Sequence, residues 1–447
     1  MSLVLAHGVG SVRDLPVPQW LFFYGAGVVL IVSFLALAVL WRRPLLERYD
    51  GGRPLPAWLQ RIVLSPALRI ALGTISVALL LLVMATALVG ERTAVTNIAP
   101  TFVYVAFWLG LVPVVVLLGD VWPALNPWKA VADAVERLLA GAGVRSEPLP
   151  YPERVGRWPA TVLLLLFTAL ELAYFDPADP RALALAIFVY SGIMWLGALV
   201  FGGERWFPNA DAFTVYFGLL SRLAFVGVRE RGGRREVVLR PPVVGVASLH
   251  EPRPGTIAFV AVMLGSVGFD GFSRTAFWQD RRAPMGDLEG TLLNLAGLLG
   301  AVLVVAGAYL AAVAIARALA RADRPLAGAF VASLIPIALV YAVSHYFTLL
   351  VVQGQFLIPL ASDPFGWGWD VFGTIDYLPN LAPVSPSTVW YVQVATLVGG
   401  HVLGLVLAHD RALALFPSGE RAARSQSPLL VLMVLYTVTG LWLLSQG

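Results

Sequence analysis

Apolar runs of about 20 residues recur along this chain, and a helix needs a run of that length to cross a bilayer core. The runs are apolar on every face, so the alternation typical of half-buried strands is missing. We therefore predict an all-α fold: a polytopic transmembrane helical bundle of about ten helices, in a single membrane domain covering 1–447. The predicted spans are 18–41, 67–89, 98–119, 158–176, 181–202, 256–270, 290–316, 327–351, 387–409 and 427–445.

Few charged residues accompany these runs. Only 13% of the chain is charged, against about a quarter in soluble proteins, so a soluble fold of 447 residues could not cover its surface. The chain contains no cysteine, which removes disulfides, thiolate metal sites and cysteine nucleophiles. Its net charge of +4 is explained by membrane topology, so the lipid bilayer is the expected partner and nucleic acid is not.

Arginine and lysine are distributed unevenly between the predicted loops. Positive residues concentrate in the cytoplasmic loops of membrane proteins. Here one alternating set of segments carries 24 of the 31 positive residues, and the opposite set carries 6. This pattern predicts that both termini lie outside, with an external arm at 1–17 and an external loop at 352–386. The predicted cytoplasmic segments are 42–66, 120–157, 203–255, 317–326 and 410–427.

Two of the cytoplasmic segments are amphipathic and too short or too polar to cross. We predict that 127–140 and 211–228 form two interfacial helices lying in the plane of the membrane surface. The following stretch, 229–240, is densely charged. An ordered loop is expected there, with a small hairpin over 236–245 as the alternative. The whole basic loop 228–255 could serve as a docking surface for a protein partner.

Two short segments resemble each other. Residues 119–126 and 202–209 each place a glycine, an acid, a tryptophan and then proline and asparagine at the cytoplasmic end of a span. One interpretation is duplication of a structural unit, as in transporters built from inverted repeats. The other is that each segment supplies an interfacial tryptophan anchor and a helix cap.

Motifs of soluble enzymes are absent from the sequence, including the phosphate-binding loop, the nucleophile elbow and the zinc-binding HExxH. We therefore do not expect ATP-driven transport by this chain alone.

Ionisable residues inside predicted spans are costly and usually functional. Glu171 lies in the fourth span and His345 in the eighth, both in the predicted outer half, while His401 lies near the middle of the ninth. Asp270 ends the sixth span. This placement predicts a polar cavity that opens to the outside and holds a small molecule, a cation, a proton or a metal. The alternative is that each histidine bonds a neighbouring helix.

Two further polar residues accompany His345. Tyr341 and Ser344 precede it by four residues and by one residue, and the three- and four-residue offsets from Tyr341 predict one shared helix face. We therefore include both in the candidate site.

No cofactor is evident. A divalent metal held by His7 with Asp363 or Asp370 is a weak alternative, because a single histidine near unplaced acids is a poor signal. His401 and His409 are eight residues apart, as stacked haem ligands would be, but matching histidines on a second helix are missing. Haem is therefore not expected.

Several segments resemble bacterial, especially actinobacterial, multi-pass membrane proteins often labelled fenitrothion hydrolase. The resemblance lies in His7-Gly-Val-Gly with Asp14–Trp20, in Ser344-His-Tyr-Phe, and in His401 followed by Ala408–Ala412. It implies a bacterial cytoplasmic membrane protein and hydrolysis of an organophosphate ester, a chemistry that normally uses a metal-activated water. The usual cluster of several histidines is missing here.

Three functions remain open. The first is a transporter of a small solute or ion, with its site near Glu171, His345 and His401. The second is a membrane-embedded hydrolase that uses His345 or His401 as base or ligand. The third is an anchor or assembly subunit that docks a partner through 228–255.

Overall fold

A computed structural model describes residues 18–49, 51–144, 147–250 and 252–446. Helices dominate these residues. The longer ones are α1 (Gln19–Leu40), α3 (Pro66–Val89), α7 (Pro127–Gly141), α8 (Trp158–Leu172), α9 (Pro180–Phe201), α13 (Thr256–Ser273), α15 (Asp287–Ala320), α17 (Leu334–Gln353), α19 (Pro386–Leu415) and α20 (Gly419–Leu444). The shorter ones are α2 (Ala57–Val63), α4 (Ile98–Thr101), α5 (Leu111–Leu118), α6 (Trp122–Leu125), α10 (Gly203–Ala210), α11 (Ala212–Leu220), α12 (Val244–Ala247), α14 (Ala276–Arg282), α16 (Ala327–Phe330) and α18 (Leu357–Ser362).

The all-α polytopic bundle is confirmed. In the described ranges, nine helical segments are long and apolar enough to cross a membrane, and they fall on nine of the ten predicted spans. The remaining predicted span, 158–176, corresponds to α8, which has 15 residues. At 1.5 Å per residue α8 is about 22 Å long, whereas the hydrocarbon core is about 30 Å thick. This helix is therefore too short to cross the hydrocarbon core by itself. It packs against α10, α11 and α13.

The bundle has two distinguishable ends. The loop 352–386 lies at one, called the loop end below, where Glu91 and Ile98 donate backbone hydrogen bonds to Phe365 and Pro364. The opposite end carries a β-hairpin and is called the hairpin end.

The third span is not a regular α-helix. A π-helical segment, Phe102–Leu109, separates α4 from α5, and Gly110 closes it with an i→i−5 bond of 2.8 Å to Val105. π-Helical turns are rare and often mark functional positions. Within this segment, Phe107 lines the large cavity and Trp108 lines the small cavity, both described below.

The charged stretch after α11 forms a hairpin, so the expectation of an ordered loop was wrong. Strand β2 (Val226–Arg231) pairs antiparallel with β3 (Arg234–Leu239), and β1 (Arg53–Pro54) adds to the other side of β3. Gly232 and Gly233 both have positive φ, which is what a two-residue hairpin turn requires. The dense charge on these strands obscured the strand pattern in the sequence.

The second predicted interfacial helix also differs from the expectation. Helix α11 is buried inside the bundle, and seven of its nine residues, including Phe213 and Phe217, are buried. A short helix that is apolar on all sides belongs in a protein interior rather than at a membrane surface. By contrast, α7 is buried only in its first turn, Pro127–Lys129, and most of the rest is exposed.

The two resembling segments share a backbone feature. Gly119 ends α5 with φ 88° and Gly202 ends α9 with φ 79°, and each is followed by a buried tryptophan, Trp122 or Trp206. At Gly119 a side chain would also collide with the Val226 carbonyl at 2.8 Å. Glycine is required there both by backbone conformation and by space.

A buried carboxylate at the hairpin end fixes the linker after α1. Asp410 of α19 is fully buried and accepts hydrogen bonds from the Trp41 indole and from the backbone N–H groups of Leu45, Leu46 and Glu47, at 2.6–3.1 Å. Four donors satisfy the carboxylate without a charged partner.

Glu47, in the same linker, pairs with the next residue of α19. Arg411 donates to both Glu47 oxygens at 3.0 Å, and His250 lies 3.9 Å away. Burial raises the pKa of the Glu47 carboxyl, although Arg411 and His250 act in the opposite direction.

Replacing Asp410 with Ala should lower the free energy of unfolding by about 3 kcal/mol, because several buried donors lose their acceptor. The measurement is SDS titration of the purified protein in mixed micelles. Asp323→Ala removes an exposed carboxylate at the same end and is the matched control. Equal stability of the two variants would contradict the structural role of Asp410.

Candidate functional site

A buried polar contact between two spanning helices joins α13 and α17 near the loop end. The Asp270 carboxylate lies 2.9 Å from Nε2 of His345, and the two side chains are 5% and 8% exposed. A buried charge in this setting needs a partner and hydrogen bonds. The structure thus brings together two residues of the predicted site, Asp270 and His345.

Two further residues complete the coordination of Asp270. Arg274, directly after the end of α13, donates from Nε and a terminal nitrogen to Oδ1 of Asp270 at 3.2 and 2.9 Å, whereas His345 contacts Oδ2. Tyr346 also forms a side-chain hydrogen bond to Asp270. Arg274 is 27% exposed and forms the solvent-facing side of the cluster.

Glu171 lies close behind this cluster. A cavity of about 10 Å³ separates α8, α13 and α17, and Glu171, Thr168, Tyr216, Ser266 and Tyr346 supply its polar lining. That volume accommodates about one water molecule. Glu171 also lies near enough to Asp270 and Arg274 for its carboxylate, when ionised, to interact with their charges. The three groups therefore form one electrostatic unit.

The acidic groups of this unit outnumber its permanently charged basic group. The unit holds two carboxylates, Asp270 and Glu171, against one guanidinium, Arg274. One additional proton, on His345 or on a carboxylate, makes the unit neutral. A buried cluster is most stable when its charges balance.

The other two residues predicted on the face of His345 point elsewhere. Ser344 donates to the Gln393 carbonyl at 3.1 Å, and the Gln393 amide returns a bond of 2.9 Å to the Ser344 carbonyl. This reciprocal pair clamps α17 to α19. The Tyr341 ring lies against Tyr436 of α20 with centroids 5.5 Å apart. Thus His345, Ser344 and Tyr341 face three different neighbouring helices.

His401 is not part of the Asp270 cluster. It is fully buried, and its Nδ1 lies 2.8 Å from the Leu397 carbonyl, which can only accept a hydrogen bond. The proton is therefore on Nδ1, and Nε2 carries a lone pair for which the described residues offer no partner. Its ring lies 6.2 Å from that of Tyr436.

Arg274, Tyr346 and Tyr216 were not predicted. Arg274 could have been found from its four-residue spacing to Asp270, which would place both on one face of a helix. Tyr346 directly follows His345. Tyr216 lies on α11, and its role depends on the burial of a helix that the sequence placed at the membrane surface.

The buried carboxylate of Asp211 was missed for the same reason. Asp211 caps α11 and is fully buried. It accepts bonds from the Tyr190 and Thr214 hydroxyls, the Asn126 amide, the Phe213 backbone N–H and, at 3.5 Å, the Trp122 indole. These donors are neutral and satisfy the carboxyl group, so Asp211 has a structural role at the start of α11.

The candidate metal ligands are engaged otherwise or lie outside the described residues. His7 belongs to the latter group. Asp363 accepts backbone bonds from Trp367 and Gly368 at 2.9 and 2.6 Å, and Asp370 accepts one from Ile375 at 3.1 Å, so both acids shape their own loop. In the described ranges, no three His, Asp or Glu side chains come together to hold a metal ion.

His409, the second residue considered for haem, has both ring nitrogens engaged. Nδ1 lies 2.9 Å from the Gln426 side-chain oxygen, and Nε2 lies 2.9 Å from the Trp41 carbonyl. Since both partners accept, two protons on the ring would satisfy this arrangement. A haem iron would have to displace one of these bonds.

Comparison with known proteins does not assign the site. No protein family, curated protein or solved structure matches this chain. The function therefore has to be argued from the buried charges themselves.

A double-mutant cycle tests the central pair. Asp270→Asn and His345→Asn should show a coupling of ~1–3 kcal/mol in unfolding free energy, because the two side chains share one buried hydrogen bond. SDS titration in mixed micelles provides the four free energies. The control cycle pairs Asp270→Asn with His250→Asn at the hairpin end and should be additive. If the Asp270–His345 cycle is additive like the control cycle, the contact is refuted.

Proposed function

We propose that this protein is a transporter of a small solute or ion whose movement is coupled to a proton bound by the cluster of Asp270, His345, Arg274 and Glu171. The observation that carries the proposal is the buried 2.9 Å contact between Asp270 and His345. Ionisable residues inside a membrane bundle usually mark ion pathways or proton relays. Transport by proton coupling needs such a group.

The composition of the cluster supports a proton rather than a fixed ion pair. Histidine is the side chain that changes charge most readily near neutral pH. Here it contacts an acid that also binds Arg274, and a second acid, Glu171, lies behind it. Moving one proton changes the net charge of the cluster between zero and minus one. That change can alter the packing of α13 against α17.

Access to the cluster also supports the proposal. The partly exposed guanidinium of Arg274 lies at the loop end, which the arginine distribution predicts to be external. Toward the middle of the bundle, Tyr341, Tyr436 and His401 follow one another with ring centroids 5.5 and 6.2 Å apart. These polar rings provide a series of groups along which protons or a small polar solute could be passed.

A hydrolase is the second candidate, and one observation favours it. An acid that hydrogen-bonds a histidine ring is the arrangement that orients a general base. The resemblance described above implies organophosphate ester hydrolysis. However, the neighbouring hydroxyl of Ser344 donates to Gln393 of another helix. Catalysis would therefore use water activated by His345.

Charge movement after a pH jump tests the transporter. Purified protein in vesicles of phosphatidylethanolamine and phosphatidylglycerol, adsorbed on a solid-supported membrane electrode, should give a transient current when the outer solution is acidified. Asp270→Asn and Glu171→Gln should each remove most of this current, because each deletes a proton acceptor from the cluster. His250→Gln changes a histidine at the hairpin end and should retain it. Undiminished currents in both cluster variants would contradict the proposal.

An esterase assay separates the second candidate. A chromogenic dialkyl aryl phosphotriester is incubated with the same vesicles, with and without added Zn²⁺ or Mn²⁺. The transporter proposal expects no phenol release that depends on His345. Release that is lost in His345→Gln but retained in His250→Gln would instead establish the hydrolase.

A further inference from the structure

A large cavity lies on the other side of α8 from the charged cluster. It has a volume of about 850 Å³ and is enclosed by α3, the third span, α8, α9 and the first residues of α11. Its lining is almost entirely apolar. This space is called the lateral cavity below.

The lateral cavity opens toward the bilayer. Five of its lining residues are exposed large apolar side chains, namely Leu79 of α3, Leu166 of α8, and Leu185, Val189 and Ile193 of α9. Of these helices, α3 and α9 are long enough to span the membrane, and α8 is a shorter apolar helix beside them. An apolar space of this size does not hold stable water, so its natural occupant is an apolar chain from the membrane.

The base of the lateral cavity, toward the hairpin end, is aromatic and has no unmet polar groups. Trp128 stacks on Phe213 at 6.1 Å with an interplanar angle of 13°. The Trp128 indole donates to Ser191 at 2.8 Å, and the Trp122 indole is directed to Asp211. Because these N–H groups already have acceptors, the base offers a rigid apolar surface to the end of an acyl chain.

The length of the lateral cavity fits one leaflet. Along α9 its lining residues run from Arg181 near the loop end to Ile193. Twelve residues of α-helix span about 18 Å, and half of the hydrocarbon core is about 15 Å thick. An acyl chain anchored at the level of Arg181 would therefore reach the aromatic base.

A charged residue stands at the loop-end rim. The Arg181 side chain is exposed, and in the described ranges no carboxylate lies within ion-pair distance of its guanidinium. Asp179, the other charged residue of the rim, uses one oxygen to accept the Arg181 backbone N–H at 3.1 Å. Guanidinium groups bind phosphate oxygens in pairs. Arg181 therefore lies where the headgroup phosphate of a leaflet lipid would be.

The geometry points to a specific binding site for a membrane glycerophospholipid, with one acyl chain in the lateral cavity and the phosphate on Arg181. The volume lies within the range of ligand cavities, about 300–1,000 Å³. The charge at the rim, the apolar walls and the length each match one part of such a lipid. This proposal is independent of proton coupling.

The lateral cavity and the charged cluster share a wall. Leu163 and Phe167 of α8 face the lateral cavity, while Thr168 and Glu171 of the same helix face the small cavity. The π-helical segment, Phe102–Leu109, contributes to both linings in the same way. A bound acyl chain would thus support the helix that carries Glu171.

Photo-crosslinking tests the site. The protein is reconstituted in vesicles of phosphatidylethanolamine and phosphatidylglycerol that contain phosphatidylethanolamine with a diazirine in one acyl chain. After illumination, peptide mapping should find adducts in 102–107 and 183–193 in excess over the lipid-facing surface of α15. Ala186→Trp places an indole ring in the lateral cavity. It should reduce these adducts about tenfold, because a lower affinity leaves fewer sites occupied by the probe. Ala311→Trp makes the same change at an exposed position of α15 and should not.

A second variant separates headgroup recognition from cavity filling and does not depend on the fold of Ala186→Trp. Arg181→Gln leaves the volume intact and should reduce adducts from the phospholipid probe, but not from a diacylglycerol probe that lacks phosphate. Adducts spread evenly over 183–193 and α15 would overturn the site. Stronger labelling by a diazirine fatty acid, or an Arg181→Gln variant that labels like the wild type, would overturn the assignment to a phospholipid.

Discussion

The hydrogen bonds that surround the Asp270 carboxylate connect the two most enclosed spans of the bundle. A carboxylate in the interior of a membrane protein is stable only if donors surround it, because lipid and apolar side chains supply none. His345, Arg274 and Tyr346 provide those donors. Helices α13 and α17, which carry these residues, lie in the two segments that are 72% buried, whereas no other span exceeds 44%. The polar contact and the deepest packing therefore coincide.

Two elements that do not cross the membrane by themselves build the surroundings of this contact. Helix α8 is too short, and α11 has only nine residues, beginning after the buried Asp211 and leading toward the hairpin strand that starts at Val226. Their side chains fill the space between α13 and the irregular third span, and Glu171 and Tyr216 reach the small cavity from them. A bundle of straight, full-length helices would place neither residue there. The same short helices leave the lateral cavity open on their other side.

The sequence predicts the spans well because a bilayer imposes a length and a composition on any helix that crosses it. It also predicts the neighbourhood of Asp270, His345 and Glu171, since span order and orientation place all three near one end.

Rotation of each helix about its axis is set by packing, which the sequence does not reveal. Ser344 and Tyr341 therefore turned out to face other helices, and His401 lies apart. Asp211 and α11 were misplaced because a short apolar helix has the same composition whether it lies at the surface or inside. The sequence offered a hairpin only as the alternative and placed it at 236–245, because the charged strands at 226–239 lack apolar alternation.

Three buried carboxylates differ in the kind of donor that satisfies them. Asp410 is satisfied by backbone N–H groups and an indole, and Asp211 by hydroxyls, an amide, a backbone N–H and an indole. Those donors are all neutral. Asp270 instead contacts two basic side chains, His345 and Arg274, and lies near a second carboxylate, that of Glu171. Of the three carboxylates, Asp270 is therefore the one whose partners include a histidine, the side chain best suited to gain or lose a proton near neutral pH, and for this reason we propose that the functional chemistry lies there.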